Sequence, residues 1–274
     1  MVEQKAALHT PCWAELSVPD PAAAQRFYGD VFGWRGETDP RPEAGGYTTF
    51  KLGQSAVAAV MPLVDETQPV SWSICLAVAD AEATTSETVA HGGKVLMPPT
   101  EVFDLGSYGI LADPGGAAFA IWQAKAFSGA EILGDPNSLG WIELSTRDVP
   151  QALEFYPSVF GWATHLSDFY TEWSLDGTHF GGLVDLNTLP GPAADAAPHW
   201  KPYFNVADVD EAASKAAAAA GGVLMPPENV PGDELRISVL RDPQGAVFGV
   251  FGPVKESVDV AGGGGRLKLS SPAP

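Results

Sequence analysis

The chain is poor in cysteine and in basic residues. Its 274 residues include two cysteines, Cys12 and Cys75, and 15 Lys and Arg against 34 Asp and Glu, for a formal charge of −19. Two cysteines without CxxC spacing make no disulfide framework, so we expect both to be reduced and buried. Nucleic-acid binders gain affinity from clustered Lys and Arg. No such cluster occurs in this sequence, so we expect no nucleic-acid partner.

Long apolar runs are also lacking. No stretch approaches the roughly 18 apolar residues that a membrane-spanning helix needs, and the N-terminus has no apolar segment flanked by basic residues. The sequence therefore predicts a cytoplasmic protein without a membrane partner. Apolar residues make up 45% of the chain, which is enough for two domains with their own cores. The composition of residues 255–274, with Gly262 to Gly265, predicts a flexible tail.

What the sequence does contain is a duplication. CWAELSVPDPAAAQRFYGDVFGW at 12–34 reappears as GWIELSTRDVPQALEFYPSVFGW at 140–162. VLMPP occurs at 95–99 and at 223–227, and ADPGGAAFAIW at 112–122 corresponds to RDPQGAVFGVF at 241–251. Such a repeat predicts one supersecondary plan used twice. We therefore predict domains over 8–126 and 138–254, joined by a linker over 127–137.

The apolar period changes in the same order in each copy. Trp13 to Val18 alternates as a strand does, and Asp20 and Pro21 then provide a helix cap and a first-turn proline. Asp148 begins the equivalent helix, which Pro157 is expected to interrupt. Short β-rich runs with glycine turns follow, and a strand, a helix and three strands complete each copy. The sequence thus predicts an α+β protein of four β-α-β-β-β modules.

This cycle, with ELS..D...A..FY..VFGW and the DPGGAAFAIW and DPQGAVFGVF endings, resembles the vicinal oxygen chelate (VOC) superfamily. Its members include glyoxalase I, bleomycin-resistance proteins, fosfomycin-modifying enzymes and extradiol dioxygenases. The similarity covers residues 12–252, and the layout resembles tandem glyoxalase-like proteins of actinobacteria, some labelled hydroxylases and found with secondary-metabolite pathways. The resemblance implies two tandem domains packed as a pseudo-dimer. In each, two modules curve their strands into a half-open bowl around a ligand.

Members of that superfamily usually hold a divalent metal in the bowl through His and Glu side chains from four strands. Three of the aligned positions hold residues that bind a metal poorly: Trp13, Ser73 and Ala120 in the first half, and Trp141, Lys201 and Gly249 in the second. The fourth offers apolar residues around Val57 to Met61, or Asp185. Indole has no lone pair for a metal, and one carboxylate does not hold a catalytic ion. We therefore expect neither a metal nor another cofactor.

Strand alternation places Trp13, Glu15 and Ser17 inside the first bowl. Small residues at Ala120 and Gly249 are expected to leave space, and inward-facing aromatics suit a flat apolar ligand. These rings could equally fill the bowl as core. The predicted ligand-binding residues are Trp13, Glu15, Trp122, Trp141, Glu143, Lys201, Tyr203 and Phe251.

Glu15 and Glu143 are candidates for acid–base catalysis, because an inward carboxylate on an apolar wall can have a raised pKa. They could also serve as structural hydrogen-bond acceptors, and Lys201 could pair with a carboxylate in its own bowl. The sequence leaves three functions open. One is metal-free capture of a hydrophobic, aromatic small molecule in secondary-metabolite resistance or biosynthesis. Another is a hydroxylase-like, isomerase or lyase activity on a secondary metabolite. In the third, one half is merely structural.

Overall fold

A computed structural model describes residues 6–65, 67–167, 170–191 and 195–255. The flexible tail predicted for 255–274 therefore lies outside the described residues, apart from Lys255. In each half, two helices pack against one eight-stranded sheet. None of the helices in the described ranges is long and apolar enough to cross a bilayer.

The first half contains two modules that share one sheet. Its helices are α1 (Pro21–Phe32) and α2 (Ala81–Ala90), and its strands are β1 (Pro11–Val18), β2 (Arg35–Thr38), β3 (Thr48–Leu52), β4 (Ser55–Pro62), β5 (Ser71–Ala77), β6 (Lys94–Val102), β7 (Gly106–Ala112) and β8 (Ala118–Ala124). The strand order is β2-β3-β4-β1-β5-β8-β7-β6. The modules meet where β1 pairs antiparallel with β5, and each closes on itself through a parallel pair, β1 with β4 or β5 with β8.

The second half repeats this plan. Its helices are α3 (Val149–Phe160) and α4 (Val209–Ala218), and its strands are β9 (Leu139–Thr146), β10 (Ala163–Leu166), β11 (Thr171–Leu175), β12 (Thr178–Asp185), β13 (His199–Asn205), β14 (Gly222–Asn229), β15 (Leu235–Arg241) and β16 (Val247–Pro253). The order β10-β11-β12-β9-β13-β16-β15-β14 matches that of the first half strand for strand. The predicted α+β fold of four β-α-β-β-β modules is confirmed.

Helices α1 and α3 start where the sequence indicates. The carboxylate of Asp20 accepts from the Ala23 amide at 2.9 Å, and Asp148 caps α3 in the same way. A glycine with positive φ follows each helix, which is the usual C-terminal stop. The expected interruption at Pro157 is wrong, because α3 continues to Phe160. Its apolar face is buried in the core, and this packing outweighs the one backbone hydrogen bond that a proline removes.

The two halves exchange reciprocal buried hydrogen bonds. Tyr28 on α1 accepts from Trp72 Nε1 at 3.0 Å and donates to Asp242 Oδ2 of the other half at 3.2 Å. In the mirrored arrangement, Tyr156 on α3 accepts from Trp200 Nε1 at 2.9 Å and donates to Asp113 Oδ2 at 3.0 Å. Each first-module helix is thus fastened to the Asp-Pro turn that precedes the last strand of the opposite half.

The alternation predicted for β1 decides which of its side chains face the helices and which lie on the other face of the sheet. Ala14, Leu16 and Val18 belong to the large core between the sheets and the helices. Trp13 belongs to a second cluster on the other face of the sheet, together with Cys12 and Cys75. Both cysteines are free and buried, as expected. The face that carries Trp13 is called the first bowl here, and its counterpart around Trp141 the second bowl.

Candidate functional site

In the first bowl, a chain of hydrogen bonds ends on a carboxylate. Trp13 Nε1 donates to the Tyr47 hydroxyl at 2.9 Å, and that hydroxyl donates to Glu15 Oε1 at 2.6 Å. Tyr108 on β7 forms a further hydrogen bond with Glu15, which is 9% exposed. Among the described residues no cationic side chain pairs with Glu15. Burial therefore raises the pKa of this carboxyl, and the hydrogen bonds offset the rise only in part.

The first bowl is filled by its own side chains. The Phe127 ring packs edge-on against Trp13 at 5.1 Å and against Trp122 at 6.1 Å, and Trp122 Nε1 donates to the Phe127 carbonyl at 2.8 Å. Trp13 and Trp122 are only 3% and 7% exposed. Ala120 lies in the same packed cluster. The expectation that Ala120 leaves space is therefore wrong, because the neighbouring rings close over it.

The segment that follows β8 covers this bowl. Ala130 N donates to the Cys12 carbonyl and Glu131 N to the Ala56 carbonyl, each at 2.8 Å. The Ala56 amide in turn donates to Glu131 Oε2 at 2.5 Å. The first part of the predicted linker is thus hydrogen-bonded along the first half.

The second bowl repeats the hydrogen-bonded chain and adds a cation. Trp141 Nε1 donates to the Tyr170 hydroxyl at 3.1 Å, and that hydroxyl donates to Glu143 Oε2 at 3.1 Å. Tyr203 donates to Glu143 Oε1 at 3.2 Å, and Lys201 Nζ lies 2.9 Å from the same oxygen. The side chains of Lys201 and Glu143 are 11% and 10% exposed. Two opposite charges thus neutralise each other within a nearly buried site.

Glycines let aromatic rings lie flat on the floor of the second bowl. A Cβ at Gly249 would lie 2.1 Å from Tyr203 Cδ1, so the space expected there is taken by the tyrosine ring. In the same way the Tyr170 ring covers Gly182, and Phe251 covers Gly140. The prediction of an open cavity over Gly249 is wrong. The floor is an aromatic layer, and Trp141 and Phe251 within it are half-buried and reach the surface.

The ligand positions implied by the resemblance do not fit a metal. The indoles of Trp13 and Trp141 use their N–H groups on tyrosine hydroxyls, the Lys201 ammonium pairs with Glu143, and Gly249 offers no side-chain donor. Each bowl centre has one carboxylate, which already accepts tyrosine hydroxyls. Within the described ranges, no set of three or more His, Cys, Asp or Glu side chains could hold a metal ion.

The structure also brings together residues that the sequence left apart. His165 and His179 stack with ring centroids 4.6 Å apart. His179 Nδ1 lies 2.5 Å from Glu172 Oε2, and His165 Nε2 lies 2.7 Å from Ser174 Oγ. Strand register produces this cluster, since residue 165 faces 172 and residue 174 faces 179. Each histidine thus has one ring nitrogen engaged by a neighbouring side chain.

The predicted site residues fall into two groups. Trp13, Glu15 and Trp122 meet in the first bowl. Trp141, Glu143, Lys201, Tyr203 and Phe251 meet in the second. The sequence reasoning missed Tyr47, Tyr108 and Tyr170. The first and last of these precede the equivalent strands β3 and β11, so the repeat itself held a signal for them.

The described part of the chain has surface hollows away from both bowls, and two of them occupy equivalent places in the two halves. One of about 490 Å³ lies between the halves beside His91, Pro114 and Phe155. The other, of about 260 Å³, lies beside Gly221 and Arg241 in the corresponding place of the second half. Neither is lined by a residue predicted to bind the ligand.

Comparison with known proteins identifies the class. The model of the Glyoxalase/Bleomycin resistance protein/Dioxygenase superfamily matches residues 11–121 and, again, 138–250. The chain therefore belongs to this superfamily, with two tandem domains, as its repeated motifs indicate.

Individual proteins of this superfamily are similar to the chain over most of its length. "Putative glyoxylase CFP32" of Mycobacterium tuberculosis is 37% identical over 252 residues, covering 90% of this chain and 96% of that protein. "Anthracycline biosynthesis protein DnrV" of Streptomyces peucetius is 36% identical, covering 93% of this chain and 96% of that protein. The Mn(II)-bound glyoxalase from Novosphingobium aromaticivorans has a TM-score of 0.64 at 18% identity, over 90% of this chain and 83% of that chain. At that identity it shows a common fold alone.

Proposed function

We propose that the chain binds a planar, hydrophobic aromatic small molecule in a bowl, without the metal that the superfamily usually employs there. The observation that carries this proposal is the aromatic layer of the second bowl, which surrounds one nearly buried ion pair. A layer of aromatic side chains favours a planar aromatic ligand, because such a ligand can stack on their rings. The names of DnrV and of DauV from a Streptomyces species, both anthracycline biosynthesis proteins, support a role with a secondary metabolite.

The energetics suit reversible capture. Each aromatic pair contributes roughly 0.5 to 1.5 kcal/mol beyond the burial of apolar area, so contact with two or three rings contributes about 1 to 4.5 kcal/mol. Burial of the ligand's own apolar surface adds to this at about 25 cal/mol per Å². Trp141 and Phe251 are the half-buried rings from which such contacts can be made.

Tryptophan fluorescence tests this proposal. We expect a polycyclic aromatic such as anthraquinone to quench it saturably, and Phe251→Leu to weaken binding several-fold because one stacking surface is lost. Val89→Ala, at an exposed apolar residue of α2, is the control and should leave affinity unchanged. Thermal melts would show that both variants fold. Absence of saturable binding up to the solubility limit would overturn the proposal, as would a stoichiometric metal ion in the purified protein.

An enzymatic role is the second candidate, and the Glu15 carboxyl favours it. Burial raises its pKa, and Tyr47 and Tyr108 hold it in place, which is how a general base is set up for proton transfer. In this reading the chain is a hydroxylase-like, isomerase or lyase enzyme, and Glu143 is the equivalent candidate base. Liquid chromatography with mass spectrometry of an aromatic ketone after incubation would detect turnover, isomers included, and this turnover should disappear in Glu15→Gln or Glu143→Gln.

We also propose that the halves, over 8–126 and 138–254, act as an intramolecular pseudo-dimer. The reciprocal hydrogen bonds of Tyr28 and Tyr156 support this arrangement. The aromatic contacts are reciprocal as well, since Phe27 packs on Phe248 and Phe155 packs on Phe119.

A further inference from the structure

Lys201 has hydrogen-bonding capacity that the described residues do not use. An ammonium group has three N–H donors. Glu143 Oε1 at 2.9 Å is the acceptor that the described residues provide, and the Tyr203 ring lies 5.3 Å from Nζ on another side. The side chain is 11% exposed, so little bulk water reaches it. Because a donor removed from water without an acceptor is costly, this geometry favours an acceptor oxygen on a ligand.

Beside that donor lies a carboxylate that can accept more. Glu143 receives the hydroxyls of Tyr170 and Tyr203 and the ammonium of Lys201. A carboxylate has about four lone-pair sites, so one is left. Since Oε1 already receives Tyr203 and Lys201, the remaining site is on Oε2, and the second bowl presents a donor and an acceptor within one ion pair at the edge of an aromatic floor.

The first bowl offers no such pair. Strand register places Ser73 opposite Glu15, whereas Lys201 lies opposite Glu143. Within the described ranges, Glu15 meets tyrosine donors but no ammonium. Phe127 also packs over the tryptophans of that bowl. The two bowls are therefore chemically different, although their backbones repeat.

We propose that the second bowl is the ligand site and recognises a planar aromatic ketone or quinone that carries a hydroxyl beside its carbonyl. The carbonyl accepts from Lys201 Nζ, the hydroxyl donates to Glu143, and the rings lie against Tyr203 and Phe251. The acceptor and the donor of such a ligand are neighbours on one edge of its ring system, as the Lys201 ammonium and the Glu143 carboxylate are neighbours in the bowl. This inference rests on the proposed function and adds the class of ligand.

The charge balance argues for this class over an aromatic acid. A ligand carboxylate beside Lys201 would also lie close to Glu143, and two carboxylates in a nearly buried site repel each other. A neutral hydroxyketone satisfies both partners and leaves the ion pair intact.

Titration of the full chain with 1-hydroxyanthraquinone and with anthraquinone tests the inference. Calorimetry should give one site, with the hydroxylated compound bound about tenfold tighter, since hydrogen bonds to charged groups are the strong ones. Lys201→Met should abolish that preference, whereas Lys201→Arg, which keeps both charge and donors, should retain it. Lys215→Met, at an exposed lysine paired with Glu211, is the matched control and should change nothing.

The outcomes separate the two proposals. If neither quinone binds the wild type, the proposed function fails. If both bind equally, or if Lys201→Met keeps the preference while Phe251→Leu weakens both compounds, the proposed function survives and this inference is overturned. Binding at two equivalent sites also overturns it. If Lys201→Met unfolds, the Lys201→Arg result and the ratio of the two affinities in wild type still decide, because a ratio near one refutes the assignment.

Discussion

The hydrogen bonds between the halves make a quantitative prediction about stability. Tyr28→Phe deletes one hydroxyl but breaks two bonds, one from Trp72 Nε1 and one to Asp242 Oδ2. All three side chains are buried, so water cannot replace the lost partners without penetrating the junction. Tyr156→Phe likewise breaks two hydrogen bonds in the equivalent position, one from Trp200 Nε1 and one to Asp113 Oδ2.

The loss of unfolding free energy follows from the two buried polar groups that lose their hydrogen-bond partner. Each buried polar group left without a partner costs about 1 to 3 kcal/mol, so two of them cost about 2 to 6 kcal/mol, and we expect each variant to lose about 2 to 4 kcal/mol. The upper limit is tempered because the Asp242 carboxylate keeps part of its hydrogen bonding. Its other oxygen still accepts from the amides of Gln244 and Ala246, which preserves the turn.

Urea unfolding followed by circular dichroism measures this loss. At about 2 to 4 °C per kcal/mol for a protein of this size, each variant should also melt roughly 4 to 16 °C lower. The two losses should agree within about 1 kcal/mol, because the two networks have the same geometry. Tyr108→Phe, whose hydroxyl bonds within one half, is the control and should cost less. A change below about 0.5 kcal/mol in either variant would refute the reasoning.

Three further predictions follow from single positions. Because the pKa of Glu15 is raised in the folded protein, the folded state binds that proton more tightly than the unfolded chain, whose carboxyl has a pKa near 4.5. The unfolding free energy of wild type should therefore fall relative to Glu15→Gln as pH rises above about 4.5, and parallel urea curves from pH 4 to 8 would contradict this. Gly249→Ala should destabilise the chain by about 1 to 3 kcal/mol by displacing the Tyr203 ring, whereas Gly222→Ala meets only the Arg241 side chain at 3.5 Å or beyond and should be neutral in the same melts. Asp148→Ala should cost about 1 kcal/mol through loss of its helix cap, and an unchanged melting temperature would contradict that role.

Much of the fold can be predicted because the sequence contains the same succession of strand and helix patterns twice. Alternation in β1, the caps at Asp20 and Asp148, and the repeated Asp-Pro turns each locate an element independently. The short strands β2 and β10 escaped prediction for a physical reason. Each is four residues long, lies at a sheet edge and is largely exposed, so no apolar period marks it.

The site could be predicted only in outline. Inward alternation identifies Glu15 and Glu143, and register then places Lys201 opposite Glu143. The sequence could not show which side chains fill the space inside each bowl. A glycine at 249 suggests room until one knows that Tyr203 is its neighbour on β13 and turns its ring over it. Three-dimensional packing, not residue size, decides whether a small residue opens a cavity or seats a ring.

The duplication also separates what holds the bowls together from what distinguishes them. Both halves keep the same series of hydrogen bonds from tryptophan through tyrosine to glutamate. The residues are Trp13, Tyr47 and Glu15 in the first half and Trp141, Tyr170 and Glu143 in the second. A feature present in both halves cannot explain a difference between them. The halves diverge on the neighbouring strand, where Ser73 and Cys75 correspond to Lys201 and Tyr203. Those two residues supply the cation and the tyrosine ring of the proposed ligand site, so the chemical difference between the two bowls lies on β13.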